Sequence, residues 1–65
     1  VSKDHKDQEL FRSRGYRVMA LIGELGDMAK AYGIDKGIVL MRDGMTYMAY
    51  RYAKSGLYSD PFLVQ

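Results

Sequence analysis

Cysteine is absent from these 65 residues, so no disulfide can add stability, and zinc or iron–sulfur sites built on thiolates are excluded. Histidine occurs once, as His5, which leaves no obvious His-centred triad and no His-based metal cluster. Proline also occurs once, at Pro61. Long apolar runs are missing: Val18 to Ile22 and Ile38 to Met41 are the longest, far short of the ~20 residues a membrane-spanning helix needs. A strong charge imbalance is missing too, because ten basic and eight acidic residues leave a net charge of only +2. That balance alone does not announce a nucleic-acid partner. Ser2 to Glu9 is polar throughout and lacks the apolar stretch of a secretory signal. The serines Ser2, Ser13, Ser55 and Ser59 have no evident activating base near them. These absences predict a soluble chain, cytoplasmic rather than secreted, without membrane contact, cofactor, metal site or catalytic residues. Its first residue is Val1 rather than Met, which reads as a trimmed or processed start.

What is present is apolar patterning. Phe11, Val18, Leu21, Ile22, Leu25, Met28, Ala29 and Tyr32 recur largely by threes and fours, and so do Ile34, Ile38, Met41, Met45, Met48, Ala49 and Tyr52. Such spacing gathers side chains on one side of a helix. It predicts an all-α helical hairpin, with amphipathic helices over about 8–32 and 35–55, inside a single small domain spanning 1–65. Residues 1–7 read as a flexible lead-in and 57–65 as an extended tail. Gly33 and Asp35 supply a helix stop and an N-cap at the corner, and Lys54-Ser55-Gly56-Leu57 resembles a helix terminus. Gly15, Gly23 and Gly26 read as glycines tolerated on the exposed side, each costing about 0.5–1 kcal/mol relative to alanine; a break near Gly23 to Gly26 is the competing reading.

A rival α+β fold packs one long helix on a β-hairpin or three-stranded meander. Asp43-Gly44 is a strong two-residue hairpin signal, Ala53 to Gly56 is then a second turn, and Leu57 to Val64 a third strand. Alternation counts against it. It sets Val39, Met41, Met48 and Tyr50 on one side and Ile38, Leu40, Tyr47 and Ala49 on the other, so neither side is polar. An antiparallel sheet this small normally keeps one wet face.

Two hairpin helices shield only part of each stripe, and pairing with a second hairpin would complete a bundle. The leading expectation is therefore a non-enzymatic dimerisation or protein-interaction module, whose partner is itself or another protein. Its interface residues are Leu21, Leu25, Met28, Ile38, Met41, Met45 and Met48. The alternative is a small regulator that binds DNA or RNA through Lys36, Arg42, Tyr47, Tyr50, Arg51 and Lys54, where cations would meet phosphates and rings would stack on bases. Met28 to Ile34 resembles the start of a helix-turn-helix, but the following stripe uses Ile38, Met41 and Met45 where that motif would bury positions near Val39 and Arg42. Gly23-Glu24-Leu25-Gly26 resembles a short RNA-binding G-x-x-G, yet Glu24 and Asp27 would repel a phosphate backbone.

Overall fold

In the computed structural model, which describes residues 3–23 and 25–64, helix α1 (Lys3–Arg12) leads into strand β1 (Arg17–Ile22) and helix α2 (Gly26–Tyr32). Strands β2 (Ile34–Arg42) and β3 (Met45–Tyr52) follow, then two short strands, β4 (Leu57–Tyr58) and β5 (Phe62–Leu63). The sheet is antiparallel throughout, in the order β1-β2-β3-β4, with β5 also on β3. This overturns the helical hairpin expected over 8–32 and 35–55, and with it the helical bundle that dimerisation was to complete. Val1, Ser2, Glu24 and Gln65 lie outside the described residues, and so do the parts of the lead-in, G-x-x-G and tail readings that fall on them.

Glycines break the first expected helix. Gly15 takes a left-handed φ of 88°, and the Arg14 and Tyr16 N–H groups donate to the Phe11 carbonyl at 3.1 and 3.0 Å. Satisfying the last helical carbonyls this way is how a helix closes on glycine. The chain re-emerges extended through Val18 to Ile22, rich in residues that suit a pleated surface. Gly33, also left-handed at 70°, stops α2 as expected. A strand follows it rather than a second helix, so the helix-turn-helix resemblance ends there.

Asp43 and Gly44 both have positive φ, 52° and 74°, the geometry a two-residue hairpin needs to match strand twist. They join β2 to β3 with Arg42 opposite Met45. The rival reading placed its turn here, but it kept one long helix where the chain forms helix, strand and short helix. Gly56, expected to end a helix, instead lies in the turn between β3 and β4, with φ 70° and its N–H on the Tyr52 carbonyl at 2.7 Å.

β4 and β5 run along one edge of β3, interrupted at Ser59 to Pro61. Ser59 bridges the gap: its N–H donates to the Tyr50 carbonyl at 2.7 Å, and its Oγ accepts from the Tyr50 N–H at 3.0 Å. Pro61, which has no N–H to give, sits at this edge interruption, where no ladder bond is lost.

Residues paired across strands share a face. Val18 and Leu21, Ile38 and Leu40, Tyr47 and Ala49 lie on the face that α1 covers. Phe11 from α1 and Tyr16 from the following loop fill the space above them; Phe11, Ile38 and Leu40 are fully buried. Phe11 meets Tyr58 and Tyr16 edge to face, with centroids 5.1 and 6.3 Å apart, and Tyr16 meets Tyr47 at 5.4 Å. Such contacts favour one arrangement of the rings beyond mere burial. Among the described residues no helix is long and apolar enough to cross a membrane.

Candidate functional site

Two constellations stand out, one polar and one apolar, on opposite faces of the sheet. The polar one lies under α1. Asp7 accepts from Lys36 Nζ and from the Tyr58 hydroxyl, both at 3.0 Å, and Arg51 Nη1 stands 4.0 Å away. Arg51 also grips Asp35 with two bonds, Nε to Oδ1 at 2.9 Å and Nη2 to Oδ2 at 2.6 Å. Paired donors on one carboxylate are the strong form of this contact. The Arg51 hydrogen bonds hold Asp35 below the usual carboxylate value, and the same bonds push Arg51 upward. Burial, then the bond to Asp7 and the Asp7 charge, push Tyr58 well above an ordinary phenol. The cluster fastens the amino-terminal part of α1 to β2, β3 and β4.

This arrangement separates the six residues expected to contact nucleic acid. Lys36 and Arg51 are half-buried and engaged by Asp7 and Asp35. Arg42 stacks over Tyr16 at 4.2 Å and Tyr47 at 5.6 Å, on the same face but at the hairpin end. Tyr47 packs into the core, whereas Tyr50 points to the opposite face beside Phe62, with centroids 5.6 Å apart. Lys54 is exposed in the β3–β4 turn. They do not form one surface.

The apolar constellation is the face opposite α1. Register places Ala20 and Ile22 of β1, Val39 and Met41 of β2, Met48 and Tyr50 of β3, and Phe62 of β5 on it, with Gly37 near its centre. Leu25 reaches over from the β1–α2 connection: a Cβ added to Gly37 would lie 3.4 Å from Tyr50 Cε1 and 3.5 Å from both Leu25 Cδ2 and Met48 Cε. Thr46 and the Tyr50 phenol bring the hydroxyls of the central strands here, and Arg17, opposite Met41, is a cation at the rim. No side chain of this face belongs to the core cluster under α1. Ala20 and Phe62 are exposed, and Ile22, Val39, Met41, Met48 and Tyr50 half-buried.

Of the residues expected at an interface, the sheet gathers Leu25, Met41 and Met48 on this face. Leu21 and Ile38 are turned to the core instead. Met28 is exposed on α2, and Met45 is exposed at the hairpin end. Ala20 and Val39 were not anticipated as interface residues, and Tyr50 was expected to meet nucleic acid. The signal for them was the two-sided apolar alternation itself.

Among the described residues there is no cavity, and no three of His, Asp or Glu stand close enough to hold a metal ion. Compared with family models, curated proteins and solved structures, the chain matches none.

Proposed function

We propose that this chain is a non-enzymatic association module that works by burying its open sheet face against another protein. The observation that carries the reading is the composition of that face. Across β1, β2, β3 and β5 it presents alanine, isoleucine, valine, methionine, tyrosine and phenylalanine, with Thr46 among them and the cation Arg17 at the rim. Isolated surface apolar residues need no explanation, but a contiguous apolar patch is costly in water and marks an interaction surface. Aromatic residues and methionine with few charges also describe the centre of a protein interface. Methionine adds adaptability, since its thioether repacks against differing shapes.

Photo-crosslinking in cells that make the protein tests the reading, with a benzophenone side chain in place of Val39 and, as control, in place of Leu10 on α1. The expected result is a crosslink to a second polypeptide from position 39 and none from position 10. Equal products from both positions, or none from 39, would refute it.

A further inference from the structure

We infer that the occupant of the open sheet face is a second copy of this chain, laid face to face so that the two sheets form the inner layers of a sandwich with α1 outside on each. The inference rests on the association reading above and names its partner.

Area is the first argument. The open face spans β1, β2, β3 and β5, a breadth that a second sheet of the same strands can match from edge to edge. A small peptide or a single helix would leave much of it wet. Charge is the second. The middle of the face, Val39, Gly37, Met48 and Tyr50, has no ionised group, so two identical faces can meet without placing like charges opposite each other. A nucleic acid would require cations where there are none, because phosphate contacts supply most of its affinity.

Size is the third argument. Phe11, Tyr16, Ile34, Ile38, Leu40 and Ala49 are the buried apolar side chains of the described residues. Neither a disulfide nor, among those residues, a metal cluster supplements them. A core this thin is marginal by itself, and burying the second face would supplement it. A second copy is the partner available whenever the chain is made. Antiparallel sheets pack in this way about 10 Å apart, with strand directions within about 30°, and side chains the size of Met41, Met48 and Tyr50 fill such a gap. In an isologous contact of this kind each residue would meet its counterpart or a near neighbour across a two-fold axis.

Sedimentation velocity on the full chain over a range of concentrations tests this. The wild type is expected near twice the 7.4 kDa of one chain. Met48→Lys and Val39→Asp should each weaken self-association by roughly 100-fold or more, because each buries an unpaired charge at the centre. Leu10→Lys should leave it unchanged. Near-ultraviolet circular dichroism of the tyrosines checks that each variant is folded, and Ala20→Arg, at the exposed edge of the same face, carries the test if the central variants do not fold. A monomer at every concentration overturns the second-copy assignment alone, since another protein can still take the face. A dimer indifferent to all three face variants places self-association elsewhere and likewise overturns the second-copy assignment alone. Monomers that bind phosphatidylcholine vesicles through this face overturn both that assignment and the association reading.

Discussion

Asp7 ties α1 to three strands, because one carboxylate oxygen serves Lys36 of β2 and Tyr58 of β4 while near Arg51 of β3. Its effect on Tyr58 is measurable. Tyr58 is raised above the ordinary phenol value of 10.0 in the folded state, so its contribution to stability is present below that pH and is lost as pH rises through the folded value. In a spectrophotometric titration one of the six tyrosines should ionise late, and Asp7→Asn should bring it earlier. Six tyrosines titrating together would contradict this. Asp35 behaves in the opposite sense. Its folded value is depressed below 3.8 by Arg51, so the pair stabilises above that pH and its contribution disappears as acid protonates the carboxylate. Because Asp35 is more than a third exposed, water screens the pair, and Asp35→Asn should cost no more than about 1 kcal/mol at neutral pH. Thermal melts between neutral and acid pH should be less steeply pH-dependent for the variant than for the wild type. None of this was legible in the sequence: Asp7 lay in a segment read as lead-in, and its partners are 29 and 51 residues away.

At the scale of elements, glycine position decides where helix gives way to strand. Gly15→Ala should destabilise by about 1–2 kcal/mol, because its φ of 88° is a left-handed conformation that a side chain resists. The added Cβ would meet Arg42 Cδ at an unremarkable 3.7 Å, so the cost comes from the backbone rather than from a clash. Gly37→Ala is the contrasting case. It needs no left-handed backbone, its Cβ would fall into ordinary contact with Leu25, Met48 and Tyr50, and a strand glycine is about 0.5–1 kcal/mol worse than alanine. It should therefore leave stability unchanged or raise it, and urea unfolding of the two variants side by side checks both directions. The hairpin turn at Asp43-Gly44 was readable because its chemistry is local. The strands around it were misread because Ile34, Ile38, Met41, Met45, Met48 and Tyr52 step by threes and fours while in fact crossing between faces. Ile38 goes to the core, Met41 and Met48 to the open face, and Met45 to the hairpin end. When both faces of a sheet are apolar, the period-two signal vanishes and a helical period can be drawn through what remains.

Considered as a whole molecule, the chain has one thin core and one uncovered face. Phe11 is fully buried and holds α1 against Tyr16 and Tyr58. Phe11→Ala should cost about 3–5 kcal/mol, comparable to the entire stability of a chain this short, and should abolish cooperative unfolding. If two copies share the open face, the melting temperature should rise with protein concentration, by roughly 3–5 °C for each tenfold. Met48→Lys should remove that dependence. A wild-type melting temperature independent of concentration would count against self-association. Two apolar faces on so small an antiparallel sheet argued against a sheet when the chain was read alone; with the sheet in view, the second of them is the surface that the proposed partner would cover.

The sequence by itself determined the exclusions and the local turns. Absent cysteine, a single histidine and modest net charge are properties of composition, and Asp43-Gly44 and Gly33 act through backbone conformations that neighbouring residues settle among themselves. Only the tertiary structure decided which apolar residues face α1 and which face outward, and that Lys36 and Arg51 are engaged by Asp7 and Asp35 rather than offered on a surface. Those outcomes depend on strand register and on contacts between residues far apart in the chain, for which a linear apolar pattern contains no information once it is apolar on both sides.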